Sequence, residues 1–325
     1  MKIQYFFRIF AEHHTKTNRN NSMSYNFSNY ETHYKNLTFL GVPIIIGQLG
    51  NLILNFADTL MIGHHSTEEL AAAAFVNNMF TLVIIFAIGF TYAITALVGI
   101  LYGQEKTQRI GELMKSATAA NTCMALFLSV IMVVLYLNIH RLGQPEELLP
   151  LIRPYFLIQL ISLPFVCWFN TFRQFTDGIT DTKVAMWILI GGNVMNIFGN
   201  WILIYGHLGM PEMGLIGAGL STMISRIVMT IVMVGIFFVS KKYNEYRKGW
   251  GAGKIQYADF KKITVLGFPL ALQMGMETAA FSLSSLMVGW FGTESLAAHQ
   301  VMLTISQLGY MIYYGLAAAV AVRIS

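Results

Sequence analysis

Residues 40–63 read LGVPIIIGQLGNLILNFADTLMIG, and residues 266–289 read LGFPLALQMGMETAAFSLSSLMVG. Leu40-Gly41-Val42-Pro43 returns as Leu266-Gly267-Phe268-Pro269, and Leu60-Met61-Ile62-Gly63 returns at the same offset as Leu286-Met287-Val288-Gly289. The register runs on without a gap, so that Thr67-Glu68 followed by Leu70-Ala71-Ala72 recurs as Thr293-Glu294 followed by Leu296-Ala297-Ala298. Two apolar helices resemble one another easily by composition. Polar loop residues held in the same register mark a duplicated unit.

The solvent of that unit follows from composition. The chain has 325 residues, 55% hydrophobic and only 11% charged. An ordinary soluble domain carries about a quarter charged residues. A bilayer removes the need for that polar surface and asks instead for about 20 apolar residues per crossing helix. Eight apolar runs meet this demand, at roughly 38–63, 71–101, 115–139, 151–172, 184–205, 214–239, 263–290 and 296–322. Transmembrane strands are short and alternating, whereas these runs are long and continuous. Six helices separate the repeat copies, so both copies point the same way across the membrane. That is a parallel repeat about an axis along the membrane normal, a plan common in secondary transporters.

The loops assign the sides. The tail holds Lys2, Arg8, Lys16, Arg19 and Lys35; the second loop holds Lys106 and Arg109, the fourth Arg173 and Lys183. The sixth holds Lys241, Lys242, Arg247, Lys248, Lys254, Lys261 and Lys262, while the first, fifth and seventh hold no Lys or Arg. Only Arg141 and Arg153 edge the third. This alternation places the N-terminus in the cytoplasm of a multi-pass inner-membrane protein. It also explains the pI of about 9.1 without nucleic acid. Residues 1–37 read as a polar cytoplasmic tail, flexible over 18–30 and without a cleaved signal, with Met23 a possible alternative start. Residues 38–240 read as an N-terminal six-helix lobe, 241–262 as a basic cytoplasmic inter-lobe loop, and 263–325 as the start of a C-terminal lobe. The fold class is all-α and polytopic: one six-helix lobe plus the first two helices of a second, with four further helices expected in the full gene product.

Charges at membrane depth are candidates for function because they are costly there. Asp58 lies late in the first run, Glu277 midway along the seventh and Arg226 midway along the sixth. A carboxylate in a partly dry cavity takes up a proton near neutral pH or holds a sodium ion. Either makes Asp58 and Glu277 cation-coupling groups. The bland alternative for Asp58 is an interfacial acid satisfied by Thr59 or a neighbouring helix. Arg226 reads as a cavity charge partner. On the fifth run Asn196 and Asn200 share a helix face, with Asn193 nearby. They are either interhelical hydrogen-bonding groups or groups that orient Asp58 and its ion, and Thr222 on the sixth run joins them. Gly214, Gly217 and Gly219 suggest close helix packing, and Pro43, Pro164 and Pro269 suggest kinks. Cys123 and Cys167 have neither metal nor disulfide spacing. No Ser/His/Asp grouping, phosphate loop or His/Cys pair has catalytic or metal spacing, so no enzyme, metal or cofactor is expected.

Several motifs in order resemble the multidrug and toxic compound extrusion (MATE) family over residues 36–325. They are Gly41-Val42-Pro43 with Ala57-Asp58-Thr59-Leu60-Met61-Ile62-Gly63; Phe172-Arg173-Gln174-Phe175-Thr176-Asp177-Gly178; Asn196-Ile197-Phe198-Gly199-Asn200-Trp201-Ile202; Gly214-Leu215-Ile216-Gly217-Ala218-Gly219; and Ala297-Ala298-His299-Gln300-Val301. The resemblance implies twelve helices in two lobes, a monomer in the bilayer, and export of cationic or amphipathic compounds in exchange for protons or sodium. Asp58 matches the family's acid on helix one, Asn196 and Asn200 its helix-five polar pair, and Thr222 a polar position on helix six. Some members carry an aspartate where Asn200 stands. Glu277 matches the helix-seven glutamate of the sodium-linked branch, whose partner acid on helix ten lies beyond this sequence. Two other readings stand beside the exporter. One is a lipid-linked saccharide flippase of the same broader superfamily, which would need several cavity bases where Arg226 alone is well placed. The other is an inactive fragment.

Overall fold

The computed structural model describes residues 27–141, 145–289 and isolated positions from His299 to Val320, with side chains from residue 41 onward. The chain divides into two units, residues 1–36 and 37–325. Of the first, residues 27–36 are described and helical. The main elements are α1 (Phe27–His65), α2 (Thr67–Gly103), α3 (Thr107–Leu137), α4 (Leu149–Gly178), α5 (Thr182–Tyr205), α6 (Gly214–Val239), α7 (Asn244–Ala252) and α8 (Tyr257–Gly289). Short 3-10 turns join some of them, and there is no strand among the described residues. Seven of the expected runs are thus helices. The eighth falls on residues of which only isolated helical positions are described.

Six of these segments are long and apolar enough to cross a membrane: Gly41–His65, Thr67–Gly103, Thr107–Leu137, Glu146–Gly178, Thr182–Tyr205 and Gly214–Val239. Helix is the economical choice there, because it satisfies every interior backbone group without water. Large apolar side chains such as Ile53, Phe56, Trp187, Val194 and Phe198 point outward, as lipid contact requires. The helices overrun the apolar runs at several ends. At the start of α2, Ser66 Oγ accepts from Glu68 N at 3.2 Å and Glu69 N at 3.4 Å, with both acids in the positive first turn. The end of α5 closes on Gly206 in the left-handed conformation, φ +70°.

Two apolar clusters hold the bundle. One gathers Phe90, Phe172, Phe175, Phe237, Tyr243 and Tyr246 around the α2–α3 and α6–α7 ends; the other gathers Phe80, Met132, Phe156, Ile204 and Leu215. Between helices, α2 lies along α4 and α8, α5 along α6, and α6 along α4. The α5–α6 contact is close because Gly217 has no side chain. A Cβ there would stand 2.5 Å from Leu203 O, a backbone atom that has no room to yield.

Two of the expected segments carry helix that the sequence reading did not place there. Helix α1 begins at Phe27, inside the stretch read as a flexible tail; residues 18–26 and the alternative start at Met23 lie outside the described residues. Residues 241–262, read as a basic inter-lobe loop, contain ordered helix. They hold a 3-10 turn, α7 and the first turns of α8. Glycines Gly111 and Gly249 let α3 and α7 touch backbone to backbone. Lys115 Nζ donates to Gly253 O at 2.8 Å and Trp250 O at 3.4 Å, and Ser116 Oγ accepts from Gln256 N at 3.1 Å. Arg109 Nη2 donates to Asp259 Oδ1 at 2.7 Å. Tyr243 is buried and donates to Asp181 Oδ2 at 2.5 Å; burial and that bond push its hydroxyl pKa above the ordinary value, so it stays a neutral donor. The basic residues remain on the solvent side while this apolar and glycine side binds α3.

Gly217→Val forces the α5–α6 contact apart. It is expected to lower stability by about 1–3 kcal/mol, the usual cost of overpacking, read as a lower midpoint in a detergent thermal melt. Gly235→Ala, where a Cβ meets nothing within 4 Å, is expected to leave the midpoint in place or raise it slightly.

Candidate functional site

Asp58 sits two turns before the end of α1 and is only part-exposed. Thr59 does not satisfy it, because Thr59 Oγ1 donates to Asn55 O at 2.8 Å. The partner comes from α5: Asn200 Nδ2 donates to Asp58 Oδ1 at 2.5 Å. A charged acceptor makes this bond short and strong. Asn196 lies one turn earlier on the same face, as the spacing required. Both asparagines are buried, at 1% and 0% exposure, so neither amide can turn to water instead.

The Asn196 amide has two serviceable orientations. In one, its Nδ2 donates to Thr222 Oγ1 at 3.1 Å while its Oδ1 accepts from Asn200 Nδ2 at 3.2 Å. In the other, Nδ2 reaches Asp58 Oδ1 at 3.1 Å and Oδ1 accepts from Thr222 N at 3.2 Å and Oγ1 at 3.1 Å. The second gives the carboxylate two amide donors. Thr222 belongs to α6, which is clasped to α5 by Ser221 Oγ donating to Asn196 O at 2.8 Å. One polar cluster thus ties α1, α5 and α6 together. Its acceptors are all hard oxygens, Asp58 Oδ1 and Oδ2, the Asn196 and Asn200 carbonyls and the Thr222 hydroxyl, set among the two amide NH2 donors. Asn200 Oδ1 is buried and has no hydrogen-bond partner among the described residues. An acceptor left bare beside a carboxylate suits a proton carried on that carboxylate or a small hard cation. With one acid, the cluster is not a transition-metal site, and no group of three His, Cys, Asp or Glu forms one among the described residues.

The other expected residues fall outside this cluster. Asn193 faces α1 further along α5 and approaches Asn51 Oδ1 at 3.5 Å. Arg226 lies one turn beyond Thr222 on α6, but no ion pair within 4 Å joins it to Asp58; its Nη1 donates to Gln159 Oε1 and Ser162 Oγ, each at 2.7 Å. Glu277 lies exposed on α8, where it accepts from Tyr310 Oη at 3.4 Å, and has no bond to the Asp58 cluster. The Phe172–Gly178 motif builds the end of α4. There Arg173 Nε stands 3.7 Å from Asp177 Oδ2, and Asp181 N donates to Thr176 O at 2.7 Å. Glycines Gly217 and Gly219 do pack closely, the latter against the Tyr155 ring. Sequence reasoning passed over Tyr155, Gln159 and Asn77. The signal was there in Gln159, an amide in the middle of an apolar run with a tyrosine four residues before it.

The MatE family profile matches residues 43–202 and 269–325, so both matches begin at the repeated proline. The chain belongs to the multidrug and toxic compound extrusion family. Among curated MATE relatives, the probable multidrug resistance protein NorM of Photorhabdus laumondii is 32% identical over 302 residues, 92% of this chain and 65% of its own length. Among solved structures, an outward-facing multidrug resistance MATE transporter of the MOP superfamily gives a TM-score of 0.80 at 20% identity, covering 89% of this chain and 63% of that one. A MOP superfamily transporter from Pyrococcus furiosus gives 0.74 at 20% identity over 88% and 62%. At such identity the structures establish the MATE fold. The chain spans somewhat less than two thirds of the length of these relatives.

A double-mutant cycle in thermal melts tests the Asp58–Asn200 contact. Asp58→Asn and Asn200→Ala are expected to show a coupling energy of about 1.5–3 kcal/mol, the range for a hydrogen bond to a charged group. Additive shifts would mean that the two side chains do not interact.

Proposed function

We propose that this chain exports cationic and amphipathic small molecules in exchange for protons or sodium, by alternating access, as a monomer in the bacterial inner membrane with its N-terminus in the cytoplasm. The observation that carries the reading is the Asp58 carboxylate at membrane depth, held by Asn200 beside a bare carbonyl oxygen. Family membership and the multidrug role that the NorM relative's name gives it support the substrate class. The parallel repeat supports rocking of two lobes about a shared site.

The physical cycle follows from competition. An ionised Asp58 attracts an amphipathic cation into an apolar cavity. A proton or sodium ion on the same carboxylate removes that attraction and favours release. Whichever species binds one lobe arrangement better shifts the population toward it. Asn196, Asn200 and Thr222 hold the carboxylate in place and offer oxygens to the ion. Glu277 on α8 is the second coupling acid of this proposal, acting in the other lobe. No step calls for a nucleophile or a cofactor. The flippase alternative is disfavoured by the single base, Arg226, placed midway along a crossing helix of the lobe.

In pump-deficient cells, the full-length protein is expected to lower ethidium accumulation, and Asp58→Asn or Glu277→Gln to abolish the effect. Efflux unchanged in both variants rejects the coupling sites. Sodium at about a hundred times its dissociation constant would stabilise the protein by about 2.7 kcal/mol. A sodium-dependent melting shift, lost in Asp58→Asn and absent with potassium, identifies sodium as the ion at Asp58. A shift that follows pH instead identifies the proton.

A further inference from the structure

Arg226 stands midway along α6, and a relay of polar side chains fixes one edge of it. Its Nη1 donates to Gln159 Oε1 and Ser162 Oγ, each at 2.7 Å. Gln159 is held in turn, its Nε2 donating to Tyr155 Oη at 3.1 Å, and Tyr155 Oη donating to Asn77 Oδ1 at 3.0 Å. Gln159 and Ser162 are 3% and 0% exposed, so these bonds are sheltered. Three helices, α2, α4 and α6, contribute to this one anchored guanidinium.

The other edge is left open. Among the described residues Nε and Nη2 have no hydrogen-bond partner, and the part-exposed side chain keeps both in reach of solvent. Nε–H and Nη2–H point the same way and are spaced to meet the two oxygens of one carboxylate. A lysine would offer only a point charge here. A base placed merely to neutralise Asp58 would turn this edge to it, yet no ion pair within 4 Å exists. Arg226 lies one turn along α6 from Thr222, which bonds Asn196 of the Asp58 cluster. The remaining charges of α2 to α6 lie toward the ends of their helices, several already paired, as Arg109 is with Glu112 and Asp259. Among the described residues of α1 to α6, Asp58 and Arg226 are the acid and the base of the polar interior, and Glu277 stands apart on α8.

We propose that Arg226 is a substrate-recognition residue whose free Nε/Nη2 edge takes the carboxylate of an amphipathic substrate. The chain thereby favours carboxylate-bearing amphiphiles over their esterified, purely cationic analogues. With Asp58 ionised, the two interior charges cancel and an entering carboxylate meets a competitor. With Asp58 neutralised by its ion, the charge on Arg226 is uncompensated and the carboxylate binds more tightly. This rests on the export reading and divides it by chemical group: the ion at Asp58 competes with the cationic group of a substrate, and acts in the opposite sense on a carboxylate held by Arg226.

The test is direct binding, so a failure of export does not bear on it. Fluorescence anisotropy with the purified full-length protein compares rhodamine B, which has a free carboxylate, with its ethyl ester. Arg226→Gln is expected to weaken rhodamine B about tenfold, the scale of one net charge-assisted contact, and to leave the ester nearly unchanged. Arg226→Lys retains part of the preference, because it keeps the charge and loses the fork. Asp58→Asn raises the affinity of rhodamine B relative to that of the ester several-fold, since both dyes lose the same attraction for their shared cation and only rhodamine B gains at Arg226; this arm leaves Arg226 intact should its variants not fold. Equal effects on the two dyes in a folded Arg226→Gln protein, or an unchanged ratio of rhodamine B to ester affinity in Asp58→Asn, would overturn the proposal.

Discussion

A carboxylate within a membrane-crossing helix has to be answered by polar partners, since lipid offers none. In this protein the answer is the Asn200 amide, 2.5 Å from Asp58. Much else follows from that bond. It fixes the rotation of α1 against α5. It requires Asn200 to be buried, and Asn196 one turn away completes the face that points at α1. It also requires α5 to stay where it is, which the α6 contacts ensure through Ser221, Thr222 and the side-chain-free surface of Gly217. The polar cluster and the tight glycine packing are two parts of one device: packing sets the distance, and the distance makes a lone acid tolerable.

The duplication that gives the fold its plan has not duplicated this chemistry. In the register of the repeat, Asp58 corresponds to Ser284 and Glu277 corresponds to Asn51. Each copy keeps a polar residue at both positions but places its acid at a different one. Asn51 still faces the Asn193 amide across α1 and α5, so the position remains polar in the first lobe without a charge. The repeat, seen again in family matches that start at Pro43 and Pro269, keeps its sequence register while its acids sit at different positions. In the proposed mechanism that asymmetry gives the two lobes different ion sites.

Much of the fold was legible because lipid imposes a simple rule, a long apolar run for every crossing. The runs located seven helices, and the Asn196/Asn200 spacing located their shared face. Helix ends were less legible, because a helix can continue past the apolar run, as the first one does back to Phe27. The segment 241–262 reads as a basic loop by charge alone. Its order depends on Gly111 lying against the backbone of Tyr246 and Trp250 and Gly249 against that of Gln108, contacts between distant residues that no local pattern announces. The site shows the same limit. Asp58, Asn196, Asn200 and Thr222 are polar residues out of place in apolar runs, which made them visible, and the fold brings them together. Arg226 was visible for the same reason, but its partners were not. Nothing in sequence says that Gln159 and Ser162, rather than Asp58, take up one edge of the guanidinium.

The central claim is that Asp58 is shared by ion and substrate. The most direct measurement is the affinity of a permanently cationic amphiphile for the purified full-length protein, titrated over pH and over sodium concentration. The account predicts that affinity falls as one of these ions rises and that Asp58→Asn flattens the dependence. A wild-type affinity indifferent to both ions, or one whose dependence survives in Asp58→Asn, would contradict it.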